Sequence, residues 1–353
     1  VSERINTSLD DVFRHTPIGS IERAVGNTFY GINHQGTPNL VPSEKINQGL
    51  TFFTRPQLNL TSENLRGDRR FNPLLTLNES SIQRIVRCYL DPRLNRNALH
   101  CPFVDTNSPF IPILTNQLKS LSPWPDEVSD TYSSEPGRMK ESYTFIDGAN
   151  NLYGNYDMTA TFRNTVGSPI MLLFRIWRSY ASAVFQGKLL PYPDYWVKKI
   201  IDYNLRYYRL ALDKDRRIVK HIACVGAAIP LASPYGAIFN YDDQSLFAEE
   251  VKEIQIPFRA TAVYYDDPII IHWFNRAVQI FNRSMRVENI ESSMQEIPIG
   301  ALSYFKHRGY PRIDPNSYEL KWFVPKSEYA NTTQRIRESG EAINLKDLME
   351  AFK

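Results

Sequence analysis

The run Val251-Lys-Glu-Ile-Gln-Ile-Pro-Phe-Arg-Ala-Thr-Ala-Val-Tyr264 decides the fold class. Lys252, Ile254, Ile256, Phe258, Ala260, Ala262 and Tyr264 fall on one parity, and Glu253, Gln255, Pro257, Arg259 and Thr261 on the other. Six apolar residues of seven on one side is the period of a half-buried β-strand. Pro257 lies on the polar parity and cannot donate to a ladder, which puts the strand at a sheet edge or at a bulge.

The same alternation recurs upstream. In Asn155 to Arg163, residues Tyr156, Met158, Ala160 and Phe162 alternate with Asp157, Thr159, Thr161 and Arg163. A shorter strand, Ser142 to Ile146, precedes it across a turn through Asp147-Gly-Ala-Asn-Asn151. Ser168-Pro169 reads as N-cap and first turn of a helix ending at Gly187. Its residues Met171, Phe174, Ile176, Trp177, Tyr180, Val184 and Phe185 make a broad apolar side suited to lying across a sheet.

Tyr203–Leu212 and Ile218–Val225, separated by the polar turn Asp213-Lys-Asp-Arg216, read as a hairpin. Gly226 to Gly236 reads as a loop, with a brief strand at Phe239 to Asp243. Asp267-Pro268 caps a second helix carrying Ile270, Ile271, Phe274, Val278 and Phe281 on one side. The expectation for residues 141–285 is an α+β fold: a mainly antiparallel β-sheet or barrel with packed amphipathic helices.

The flanks are less periodic. Residues 1–140 read as an N-terminal interaction arm, turn-rich at Thr16-Pro-Ile-Gly, Gly36-Thr-Pro-Asn and Arg66-Gly-Asp-Arg-Arg. Their strand-like piece is Leu50-Thr-Phe-Phe-Thr54. Either a partner orders the first 79 residues, or they form a loop-rich subdomain on a core of their own. Ser80-Ser-Ile-Gln83 matches a capping box and opens a short helix with Ile82, Ile85, Val86, Tyr89 and Leu90 inward, stopped by Asp91-Pro92. Arg84 and Arg87 lie off that stripe and are assigned to a solvated face. Leu121 to Gly137 has the composition of a linker, and a boundary is placed near 140. Residues 286–353 read as a C-terminal extension, with a terminal helix around Leu345, Leu348, Met349 and Phe352.

Composition narrows function mainly by exclusion. The charge of 41 basic minus 38 acidic residues, +3, is too small for binding driven by phosphate neutralisation. Cys88, Cys101 and Cys224 have no metal or disulfide spacing, so a reducing compartment is expected. No apolar run suggests a membrane span, and without a signal peptide the triplets at Asn59 and Asn78 read as chance. There is no Gly-rich phosphate loop, HExxH, GxSxG or paired CxxC, so neither a catalytic constellation nor a cofactor is expected. His221 and Cys224, at odd spacing on one strand, point to opposite faces. The pairs Asp242-Asp243 and Asp266-Asp267 could hold a cation, but capping is the simpler reading of Asp267.

The order strand, strand, amphipathic helix, hairpin, Gly-x-x-Pro segment, long strand resembles the tail-tube protein family of contractile-tailed bacteriophages. Tyr153 to Phe162 leading into the Ser168–Gly187 helix, Ile222 to Pro230, Phe239-Asn-Tyr241 and Ile254 to Tyr264 carry the resemblance. It implies a homohexameric ring whose subunits lend strands to one wide barrel, with helices outside. The polar residues Asp157, Thr159, Thr161 and Arg163 would then face the channel. Lys214, Asp215, Arg216 and Arg217 in the hairpin turn, with Glu253, Gln255 and Arg259 on the long strand, would meet neighbouring subunits.

The chain is longer than a plain tube subunit, which favours a baseplate tube initiator over a tail terminator or neck component. Implied partners are the tube subunit, other tail and baseplate proteins, the sheath and the tape-measure protein, with genomic DNA only as transiting cargo. The implied location is the virion tail, assembled in the host cytoplasm. The alternative from another class is a β-rich carbohydrate-binding or enzyme domain in which Trp177, Trp273 and Trp322 line a groove.

Overall fold

The computed structural model describes residues 47–150, 153–213, 215–239 and 252–338. The described residues belong to one compact unit. Its strands, numbered along the chain, are β1 (Asn47–Phe53), β2 (Leu118–Ser122), β3 (Ser129–Ser133), β4 (Thr144–Asn150), β5 (Asn155–Arg163), β6 (Tyr207–Leu212), β7 (Val219–Pro230), β8 (Glu253–Tyr265), β9 (Met294–Ile297), β10 (Tyr310–Ile313) and β11 (Leu320–Pro325). Six of them form an antiparallel sheet in the order β1-β6-β7-β8-β5-β2, nearly closed into a barrel. A three-stranded sheet, β10-β11-β9, and a separate β3-β4 hairpin complete the strands among the described residues.

The long strand is central, not an edge. Its first half pairs with β5 from Arg163↔Glu253 to Asn155↔Thr261, and its second half pairs with β7 from Pro230↔Phe258 to Ala223↔Tyr265. Pro257 is tolerated because β7 has just ended there. The Leu231 amide, one residue past β7, donates to the Pro257 carbonyl at 2.8 Å. A residue's N–H and C=O point to the same side of a strand, so the missing donor faces a place where no ladder continues. Gly226 to Pro230, expected as a loop, extends β7 instead.

Both faces of the sheet are used. Ile254, Ile256, Phe258 and Ala260 enter one core with Met158, Ala160, Phe162, Phe53 and Tyr207, under the Pro169–Phe185 helix. Within it Phe174 stacks on Trp177 at 6.1 Å and meets Phe258 edge-on at 5.6 Å. A second core on the other face holds Phe52, Tyr208, Leu210, Ile222 and Cys224 against Ile270, Phe274 and Val278 of the Pro268–Phe281 helix.

The inner parity of β8 switches along its length. Ala262 takes a φ of 56°, so Val263, not Ala262, enters the first core, and Tyr264 packs on the second. Opposite the kink stands Gly226, where a Cβ would lie 3.1 Å from the Thr261 carbonyl oxygen and 3.3 Å from the Ala262 Cβ. The glycine therefore permits close approach inside a strand, which its residue type alone did not distinguish from a loop.

Helix ends follow local chemistry. Asp267 accepts the Ile269 amide at 2.9 Å as the expected cap. Ser81, one residue after the expected position, accepts the Arg84 amide at 3.2 Å and caps Ile82–Leu90. Ser168 precedes Pro169 as expected but has a φ of 45° and makes no side-chain cap bond. Phe185, assigned to the packed side, lies in the last turn and is exposed. Gly236–Phe239 forms one helical turn; the remainder of the expected 239–243 strand and the terminal helix near Leu345 lie outside the described residues.

The region expected as an arm contributes to the core from residue 47 onward. Adjacent Phe52 and Phe53 point to opposite faces of β1: Phe53 lies 5.8 Å from Phe162, and Phe52 lies 5.1 Å from Phe274. Leu58, Leu60, Leu65, Phe71 and Leu74 are buried in the first core, each contributing about 1.5–3 kcal/mol of burial. The part of the expected linker from Leu121 begins inside β2, and β3 follows it. No division of the core falls near 140. Residues 1–46 of the expected arm lie outside the described residues.

A buried irregular segment leaves carbonyls without ladder partners, and two arginines supply the donors. Arg55 donates to the carbonyls of Cys88 (2.6 Å), Tyr89 (3.1 Å), Asp105 (2.9 Å) and Ser108 (3.0 Å). Burial pulls its guanidinium well below the ordinary arginine value, to about 10. Arg87 is only 2% exposed and donates to the Leu60 carbonyl at 2.7 and 2.9 Å and to the Leu74 carbonyl at 3.1 Å. Arg84 is buried as well, so the solvated face expected for this pair is a packed one. Asp91, fully buried, accepts the amides of Leu60 and Leu94 and the Tyr192 hydroxyl, each at 2.9 Å.

Arg87→Leu keeps the packing volume but strands two buried carbonyls. It is expected to cost about 2–4 kcal/mol in urea unfolding of the full chain. A change within about 0.5 kcal/mol, usual for a solvated arginine, would contradict this role.

Candidate assembly surfaces

The polar parities of β5 and β8 meet across the ladder. Asp157 stands opposite Arg259, Thr159 opposite Pro257, Thr161 opposite Gln255, and Arg163 opposite Glu253. The apolar parity of both strands is consumed by the first core, so these side chains form one solvent-facing wall. Most of its charges are matched within the chain: Arg259 donates to Asp157 at 3.1 Å, and Lys119 of β2 pairs with Glu253. Thr261 donates to Asn155 at 2.7 Å. The four residues expected to face a channel and the three β8 residues expected to meet neighbours thus lie together on a single surface.

The hairpin turn lies elsewhere. Lys214 is outside the described residues, and Asp215 and Arg216 are exposed, Arg216 with a φ of 57°. Arg217 pairs with Glu319, and its carbonyl accepts the Leu320 amide at 2.8 Å, fastening the turn to β11. The turn joins β6 to β7 beyond the end of the sheet where β8 finishes, since Ala223 pairs with Tyr265. It therefore does not join the wall, which begins at Glu253.

The sheet has two edges, β1 and β2. The end of β1 is covered from within: Thr54 bridges Phe110, the Ile111 amide donates to the Phe53 carbonyl at 2.9 Å, and the Arg55 amide donates to the Pro109 carbonyl at 2.8 Å. From there the chain runs through the Pro112–Gln117 helix into β2. Among the described residues no strand pairs with the outer side of β2. It is an open edge directly beside the polar wall.

Beyond β2 the chain forms the β3-β4 hairpin, with Thr131 opposite Ile146 and Tyr132 opposite Phe145. Tyr132 is 66% and Ile146 71% exposed. A two-stranded ribbon with its apolar side chains in water is marginal by itself. The sequence reading missed β3 because five residues of Ser-Asp-Thr-Tyr-Ser carry no inward apolar set; the expected strand from Ser142 was its only signal.

The residues considered for chemistry are dispersed. Among the described residues no group of three or more His, Cys, Asp or Glu is placed to hold a metal ion. His221 is exposed and lies 2.8 Å from Asp266, whereas Cys224 is buried on the other side of β7, as their spacing requires. Burial pushes the Cys224 thiol up to about 12, away from thiolate chemistry. Trp177 is buried and donates to the Tyr203 carbonyl at 2.7 Å. Trp273 is covered by the Arg206 guanidinium at 4.5 Å, and Trp322 packs 6.3 Å from Phe52. The three tryptophans line no common groove.

Residues 2–338 match the family described as "Putative phage tail tube protein", and the chain belongs to that family. The solved anti-feeding prophage cap, a tube terminating cap, is 13% identical over 45% of this chain and 83% of that one, with a TM-score of 0.28. A sheath/tube terminator of an extracellular contractile injection system is 12% identical over 42% and 85%, with a TM-score of 0.25. The anti-feeding prophage baseplate is 10% identical over 42% and 78%, with a TM-score of 0.24. Curated proteins provide no match.

Because the wall is exposed and its pairs are screened, Asp157→Ala and Arg259→Ala are each expected to change the unfolding free energy by less than about 1 kcal/mol. Urea titration with circular dichroism reads this. A loss of several kcal/mol would mean that the wall belongs to the core of the single chain.

Proposed function

We propose that the chain forms a ring of the inner tube at the baseplate end of a phage tail, as a tube initiator that works by assembly and not by catalysis. The observation that carries this reading is the position of β2, an unpaired edge bordering a polar wall in an otherwise nearly closed sheet. A backbone laid along β2 by a neighbouring copy would continue the sheet and remove an edge that otherwise invites uncontrolled pairing. Repetition around an axis closes a ring, taken here as six copies.

In that ring Asp157, Thr159, Thr161 and Arg163, joined by Glu253, Gln255 and Arg259, face the channel. Their charges are largely matched in pairs, which suits a surface past which genomic DNA moves without being held. Asp215, Arg216 and Lys214 remain candidates for subunit contacts at the far turn. Placement at the baseplate end rests on the chain's extra segments: the first 46 residues and the β9–β11 sheet with its Lys326–Glu338 helix exceed what a wall requires. These segments are assigned to the baseplate, the tube subunit, the sheath and the tape-measure protein. The protein would reside in the virion tail after assembly in the host cytoplasm. No helix among the described residues is long and apolar enough to cross a membrane.

Electron microscopy of intact tails at side-chain resolution tests the reading. The expected map places this chain in a sixfold ring on the tube axis, with β5 and β8 lining the lumen. Density for the chain outside the tail, or on the axis with that wall turned outward, would overturn it.

A further inference from the structure

The β3-β4 hairpin has a counterpart on the same chain. The Pro193–Lys198 helix is fixed from inside: Arg93 grips Asp194 with bonds of 2.7 and 2.8 Å and lies over the rings of Tyr192 and Tyr195 at 4.7 and 5.0 Å. Tyr192 is tied in turn to buried Asp91. This anchoring leaves Trp196 64% and Val197 84% exposed, with Ile200 and Ile201 about half exposed beside them. Rigidly held aromatic and aliphatic side chains in water mark an interaction surface more than a loose segment.

The two surfaces carry opposite charge. Residues 126–147 contain six acids and two bases, a net of −4. Residues 185–201 contain three lysines and one acid, a net of +2, and that acid, Asp194, is already held by Arg93.

They also stand toward opposite ends of the sheet. The hairpin leaves beside the last residues of β8: Tyr265 donates to the Pro125 carbonyl at 2.5 Å, and Asn155, where the chain returns, pairs with Thr261. The Pro193–Ile201 stretch reaches the sheet from the other direction. Tyr208 faces Cys224, which pairs with Tyr264, whereas Leu205 faces Ala228, which pairs with Ala260, so backward from Tyr208 the chain moves toward the start of β8.

We propose that the acidic, aromatic β3-β4 hairpin of one copy docks on the basic, apolar Trp196–Ile201 surface of a second copy. The contact is heterologous, so each copy gives its hairpin and takes another, and copies repeat head to tail. Apolar burial at Tyr132 and Phe145, which share one face of the ribbon, against Trp196 and Val197 supplies affinity, and the lysines opposite the acids fix polarity. The inference rests on the tail-tube reading and adds which two surfaces join like subunits.

Charge exchange tests it, read by sedimentation velocity of the full chain over a concentration series. Lys198→Glu with Lys199→Glu leaves both surfaces acidic; Glu135→Lys with Asp147→Lys makes the hairpin less acidic. Each double variant alone is expected to self-associate at least tenfold more weakly than the parent chain. An equimolar mixture of the two is expected to recover association, because each then offers what the other lacks. A folding defect would not be repaired by mixing. Unchanged association in both variants, no recovery on mixing, or a parent chain that binds anionic phospholipid vesicles and not itself would each overturn the contact. Failure of the tail-tube reading is seen separately, as density outside the tail in the map described above.

Discussion

The structure depends on one constraint: β8 must bury one face over its first half and both faces over its second. From Glu253 to Ala260 the inner residues fill the core under the Pro169–Phe185 helix and the outer ones stay wet. Past the kink at Ala262, Val263 and Tyr264 face two different cores. The polar wall lies at the wet half, because there the sheet keeps a side free of its own helices. The adjoining β2 edge is open for the same reason: the chain that covers β1 at Phe110 turns into a short helix before it reaches β2.

Between β1 and β2 the chain buries irregular backbone against the first core, and irregular chain is costly to bury. Arg55 and Arg87 make it possible. Each guanidinium offers a fork of donors to carbonyls that no ladder satisfies, and Asp91 does the reverse for the amides of Leu60 and Leu94. The perturbed protonation of these groups follows from burial. They let residues 54–108 pack on the first core instead of trailing from it.

Strong periodicity was legible from the residues alone. The alternation in β5 and β8, the apolar side of two helices, the cap at Asp267 and the helix start at Pro169 all appear at or near their expected positions. Readings failed where residue type was ambiguous. Arg87 sits off the apolar stripe whether it is solvated or donating inward, and only tertiary contact decides. Gly226 marks a loop or a close approach with equal ease, and Pro257 marks an edge or the spot where a neighbour stops. The residues expected at a channel and the β8 residues expected at subunit contacts share one face, because β5 and β8 pair in register. The hairpin was half visible, since β4 carries Phe145 and Ile146 while β3 has little to bury.

The central claim is that β2 is completed by another copy's backbone. Hydrogen–deuterium exchange of the Leu118–Ser122 amides, compared between isolated protein and assembled tails, tests it most directly. The account predicts that the outward-facing amides of β2 exchange freely in the isolated chain and become strongly protected on assembly. Assembled tails in which those amides exchange as fast as before would contradict it.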